Sequence, residues 1–178
     1  MLLRFLKTLI NDYTKRDSTP LGVLSLYYLL FVDNMYEIIE ETYQNHIIPI
    51  EAPFHFFEAC SPRKIGNTYY LIYSPRKGSR LDYATSSSPM GFFEYRCTII
   101  DNGIDYPAGN NHGSICCING QWYIFYHRMT NGTIMSRRAC VEKIELLPDG
   151  TIPQVEMTSI GFEICKLGCC PLFSIFAR

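Results

Sequence analysis

The sequence predicts an all-β protein built from repeated four-stranded units, the blades of a β-propeller. Three observations predict it. First, SPRKIGNTYYLIYSP (61–75) aligns without gaps on SICCINGQWYIFYHR (114–128), 53 residues further on, with Ser61 on Ser114, Ile65 on Ile118, Tyr70 on Tyr123 and Tyr73 on Tyr126. Second, each copy reads as a strand, a two-residue polar turn (Gly66-Asn67, Asn119-Gly120) and a strongly β-prone strand. Asn-Gly between alternating apolar residues is a hairpin signal because both turn positions need positive φ. Third, LDYATSSS (81–88) and FFEYRCTII (92–100) lie between the copies and are joined by a turn at Pro89-Met90-Gly91. That makes four strands per roughly 50-residue unit, a blade period. The 13 Tyr and 11 Phe suit pleated, half-buried surfaces. A β-sandwich made of hairpins is the alternative this pattern leaves open.

Taken in order, residues 1–34 do not join the repeat. Leu2, Leu3, Leu6, Leu9 and Ile10 fall near helical spacing before a charged break ending at Pro20. Arg4 and Lys7 interrupt that run, so it does not make the apolar core of a secretory leader, which predicts a cytoplasmic protein. LGVLSLYYLLFV (21–32) is shorter than the about 20 apolar residues of a membrane helix and reads as buried strand. A strand around 36–39 and a loop to Pro53 come next. In the second unit, Asn131-Gly132 and Pro148-Asp149-Gly150 mark turns, the latter between strands. Residues 35–163 form the repeat-bearing domain, and the tail 164–178 has no clear period.

A net charge of -1 gives no electrostatic footprint for nucleic acid or an anionic membrane. The 8 cysteines form no C-x-x-C pair, and His46, His55, His112 and His127 stand at no zinc-finger spacing. Reduced, partly buried thiols fit this pattern better than a disulfide framework.

Chemistry concentrates in FHFFEACSPRK (54–64), where Glu58 follows Phe54, Phe56 and Phe57 with no other charge between them. Aromatic walls disfavour an ionised carboxyl, the condition a general acid needs near neutral pH. The bland alternative is an acid at a strand end reaching water. The repeat sets Glu58 against Asn111 and Ala59 against His112, so in a propeller both would open an innermost strand and face one axial cavity. Arg137 and Arg138, placed mid-strand, would point to opposite faces, one of them available to a carboxylate or sugar hydroxyls.

FFEACSPRKIGNTYYLIYS, NNHGSICCINGQWYIFYHR and RRACVEKIELLPDGTIPQVEMTSIGFE together resemble glycoside hydrolase family 43, over roughly residues 51–163. The resemblance implies a five-bladed β-propeller, here about three blades of one, and an inverting glycosidase acting on xylose- or arabinose-containing polysaccharide. It implies that Glu58 is the general acid and that Arg137 contacts the sugar. His112 matches the histidine near the channel, where members hold calcium directly or through its water shell, and Phe57 lines the same site. The family's general-base Asp and modulating Asp motifs have no counterpart in this sequence, and Asp33 stands in no D-P context. Loss of a general base typically costs about 10²–10⁴ in rate, so weak or absent hydrolysis by the isolated chain is expected. A non-catalytic carbohydrate-binding module and a truncated, inactive product are the competing expectations. The pentose-containing oligo- or polysaccharide is the expected partner, with no nucleic acid and no membrane.

Overall fold

The computed structural model describes residues 47–76, 78–89, 91–103 and 111–159. The readings of residues 1–34, of a strand at 36–39 and of the tail 164–178 lie outside the described residues. Among the described residues every regular element is a strand. Four strands, β1 (Phe56–Ile65), β2 (Thr68–Pro75), β3 (Arg80–Ser86) and β4 (Glu94–Asp101), form one antiparallel sheet in sequence order. Three more, β5 (Ser114–Ile118), β6 (Gln121–Met129) and β7 (Arg137–Ile144), form a second antiparallel meander.

Both halves of the internal repeat fold as predicted, β1–β2 and β5–β6 being two-residue hairpins. Asn119 and Gly120 both have positive φ (51° and 83°), which the primed turn of a right-twisted hairpin demands. The first strands of the two sheets, β1 and β5, approach one another at equivalent positions of the repeat. There the Ser61 hydroxyl donates to that of Ser114 at 2.9 Å, and Arg63 Nε donates to the Ile115 carbonyl at 3.1 Å.

Alternation along the strands explains the core, except that a bulge in β4 leaves the adjacent Ile99 and Ile100 both in it. Tyr70 and Ile72 of β2, Leu81 and Tyr83 of β3, and Ile99 and Ile100 of β4 meet Ile115, Ile124, Tyr126 and Ile144 of the second sheet in one buried cluster. Each such side chain contributes roughly 1.5–3 kcal/mol on leaving water. The other face of the first sheet presents Leu71, Tyr73 and Ala84 to Ile48, Phe54 and Phe56.

Two expectations are corrected by these strands. Arg137 and Arg138 open β7 rather than sitting mid-strand. The turn at Pro148-Asp149-Gly150 is present, with Gly150 at φ 82°, but the segment after it is not a strand. Residues 151–158 pass against both sheets, held by side chains and a bond to the β4 backbone where a ladder would otherwise serve. Tyr70 donates its hydroxyl to the Gly150 carbonyl at 2.7 Å, Val155 N donates to the Ile99 carbonyl, and Ile152 N donates to the Tyr83 hydroxyl at 2.8 Å. The buried Glu142 of β7 accepts from both the amide and the hydroxyl of Thr158, and from the Tyr126 hydroxyl.

Tyr83→Phe should therefore strand a buried amide at Ile152. The expected loss is about 1–3 kcal/mol, read as a lower urea midpoint at unchanged slope.

Asp82 is wholly buried on the Tyr73 face, accepting from Thr98 Oγ1 at 2.7 Å and pairing with Arg80 Nε at 3.1 Å. Burial pushes its carboxyl above the ordinary 3.8, against the opposing pull of Thr98 and Arg80. A carboxyl raised in the folded state holds its proton more tightly there than in the unfolded chain. Its contribution is thus complete below its unfolded pKa and is lost as pH rises through the folded one. In urea titrations, the stability of wild type relative to Asp82→Asn should fall as pH is raised from about 3.8 toward neutrality.

Candidate active site

Glu58 owes its position to two register breaks in β1. Phe56 pairs with Pro75, Glu58 with Ser74 and Ser61 with Ile72, so β1 carries one extra residue on each side of Glu58. Each bulge exchanges the two faces of the strand from that point on, because side chains alternate with period two. Phe56 lies with Tyr73 on one face of the sheet, their ring centroids 5.6 Å apart. With no bulge, Glu58, two residues on, would share that face. The extra residue instead sets it beside Ser74, toward the second sheet. The second extra residue brings Ala59 and Cys60 back into the core, with Ala59 at φ 60°, a left-handed conformation costing of order 1–3 kcal/mol in a non-glycine residue. Strain of this kind collects where a side chain must be re-aimed.

The predicted aromatic wall is corrected by the same geometry. Phe54 and Phe56 belong to the core on the opposite face, Phe54 packing edge-on against Tyr95. Phe57, at the first bulge, is half-buried next to Glu58.

Across the seam, residues 111–113 bring His112 to Glu58, the imidazole Nε2 standing 3.8 Å from Oε1. The Glu58 side chain is 20% exposed and that of His112 52%, while Oε1 itself is buried with no hydrogen-bond donor among the described residues. The segment is tightly seated. Asn111 is fully buried, its amide donates to Ser74 Oγ at 3.2 Å, and its Oδ1 accepts from His127 N at 3.3 Å. Because Oδ1 already faces a donor, the group left over is Nδ2, a buried donor with no partner among the described residues. At Gly113 a Cβ would lie 2.3 Å from Leu81 Cδ1 and 2.7 Å from the Phe125 carbonyl, so the chain passes there only without a side chain.

The structure thus brings Glu58 and His112 together and adds two residues that sequence reasoning passes over, Ser74 and His127. The repeat held the signal for both. Ser74 falls on His127 at the same offset that sets Glu58 on Asn111, and in each unit the later residue flanks the earlier one. Arg137 is exposed at the start of β7, opposite Met129 and on the same strand face as the Ala139 that opposes His127.

Calcium takes six to eight oxygen ligands. Around His112 the described residues bring one carboxylate, Glu58, and a second imidazole, His127, at a centroid distance of 5.9 Å. Among the described residues no group of three or more His, Cys, Asp or Glu could hold a metal. Direct calcium coordination does not fit this donor set.

Two antiparallel meanders that bring a carboxylic acid of β1 and an imidazole from the segment before β5 to one seam define an all-β protein with a candidate acid site. No protein-family model matches the chain. A xylosidase/arabinosidase of Thermoclostridium stercorarium is 56% identical over 118 residues, covering 60% of this chain and 25% of that relative. An arabinoxylan arabinofuranohydrolase of family 43 from Bacillus subtilis, solved with cellotetraose, superposes with a TM-score of 0.64 at 27% identity, over 77% of this chain and 30% of its own. A family 43 β-xylosidase/α-arabinofuranosidase from a compost metagenome, solved with xylotriose in a calcium-free form, gives a TM-score of 0.62 at 32% identity, over 74% of this chain and 42% of its own. The chain carries part of a glycoside hydrolase family 43 domain. It spans between a quarter and about two-fifths of the length of these three proteins.

Proposed function

We propose that the chain supplies the general-acid side of an inverting glycosidase site acting on xylose- or arabinose-containing polysaccharide. In this reading the two described sheets are neighbouring blades of a five-bladed propeller, and the seam between β1 and β5 opens on its axis. The observation that carries the proposal is the placement of Glu58. The first bulge turns one carboxylate out of the core to a mostly covered position, 3.8 Å from an imidazole of the equivalent segment in the next sheet.

Glu58 protonates the glycosidic oxygen as the bond to the anomeric carbon breaks. His112, Arg137 and Phe57 hold the sugar ring. In an inverting site a second carboxylate, about 6.5–9.5 Å from the acid, activates water on the opposite face of the sugar. No segment of this sequence resembles the motif that supplies it, so the chain alone is proposed to hydrolyse slowly, water attacking without a base. Hydrolysis of xylobiose and of an aryl α-L-arabinofuranoside by the full chain, compared with Glu58→Gln, tests the reading. Turnover of both substrates no faster than buffer, or xylobiose turnover unchanged by the substitution, sinks it.

The absent base motif also favours a second reading, a carbohydrate-binding module without turnover. Calorimetry with xylotriose separates the two. Binding that survives Glu58→Gln without any hydrolysis supports the module, and binding to no pentose oligomer removes it.

A further inference from the structure

We propose that His127 is a positioning residue, which fixes His112 opposite Glu58 by accepting the His112 backbone amide on its Nδ1. This rests on the reading of Glu58 and His112 as the sugar site and names the part that holds them in register. Three contacts from two separate loops converge on His127. The His112 amide reaches Nδ1 at 3.4 Å, the Asn111 side-chain Oδ1 accepts from its backbone amide at 3.3 Å, and Asn102 Nδ2 donates to its carbonyl at 3.0 Å. The two imidazoles lie 5.9 Å apart, tilted by 37°.

The chemistry is dictated by the donor. A backbone N–H can only donate, so Nδ1 of His127 must be the unprotonated nitrogen and the neutral ring carries its proton on Nε2. With Ser74 Oγ taking the neighbouring Asn111 amide at 3.2 Å, the two repeat-equivalent positions, 74 and 127, each hold one amide of the 111–113 segment. Gly113 lets that segment sink between Leu81 and the Phe125 carbonyl. The height of His112 above Glu58 is then set by groups that need not touch a sugar. The seam is held from two β-strands rather than by a loop, the arrangement that keeps functional geometry tight.

The test uses the 15N-labelled full chain without sugar, so its failure leaves the hydrolysis reading standing on its own experiment. In wild type the 15N shifts of the neutral His127 ring should report protonation at Nε2. The His112 amide should exchange slowly, and a cross-relaxation peak should join the His112 ring to the Glu58 side chain. His127→Leu should speed exchange of the His112 amide about tenfold and abolish that peak. His127→Asn, whose side-chain oxygen can stand near the place of Nδ1, should restore both. A neutral His127 ring protonated at Nδ1 in wild type overturns the proposal without any variant. So does a His112 signature unchanged in His127→Leu, or lost as fully in His127→Asn as in His127→Leu. Should His127→Leu fail to fold, the wild-type shifts and His127→Asn decide it alone.

Discussion

Glu58→Gln is expected to slow hydrolysis of xylobiose by about 10²–10⁴-fold, the usual contribution of a positioned general acid. Glutamine matches glutamate in shape but has no transferable acidic proton. The leaving sugar alkoxide is then expelled as a strong base, and the barrier rises accordingly. A 4-nitrophenyl xyloside supplies a contrast, because its phenolate departs as a weak base and needs little proton donation. The same variant should lose far less on that substrate. A merely structural role for Glu58 would depress both substrates alike, which makes the ratio of the two losses the measurement to take. The β1 backbone should tolerate the change, since Oε1 makes no hydrogen bond among the described residues.

Gly113→Ala is expected to lower stability by about 1–3 kcal/mol, seen as a fall of several degrees in Tm, because the new methyl meets a packed wall. One obstacle is Leu81 Cδ1 at 2.3 Å, on a side chain with no exposed surface into which to swing. The other is the Phe125 carbonyl at 2.7 Å, which is backbone and cannot yield without disturbing the β5–β6 ladder. Relief therefore has to come from the 111–113 segment lifting, which carries His112 away from Glu58. Xylotriose affinity should fall together with the melting temperature. Unchanged binding in a destabilised Gly113→Ala variant would mean that His112 is not part of the sugar site.

Much of this architecture is legible in the residues. The gapless match between 61–75 and 114–128 locates both hairpins, because the identity of turn residues and aromatics is dictated locally by φ and by pleat packing. The intervening strands are announced by their β-branched and aromatic runs. Pairing Glu58 with Asn111 by the same offset places the acid and His112 in one neighbourhood, and the structure sets them 3.8 Å apart. Anything decided by register escapes the sequence. An alternating pattern puts Glu58 on the face of Phe56, and only pairing with Pro75 and Ser74 shows the skipped residue that moves it. The segment after Gly150 reads as a strand because its residues are β-prone. It is not one, because its amides find Tyr83, Ile99 and Glu142 at long sequence separation, partners that a local pattern does not reveal. His127 is passed over for a similar reason, since its importance lies in contacts from Asn102, Asn111 and His112 rather than in its own surroundings in the chain.

The bulged strand makes the acid's orientation a matter of counting rather than of chemistry. Excising Phe57 would merely close the first bulge and leave the carboxylate opposite Ser74, whereas a slip that paired Phe57 itself with Ser74 would carry Glu58 to the Tyr73 face among phenyl rings. A scan that only exchanges one amino acid for another leaves that dependence invisible. Single-codon insertions and deletions through β1 would expose it, because they alone change how many residues separate Phe56, Glu58 and Ser61 along the ladder.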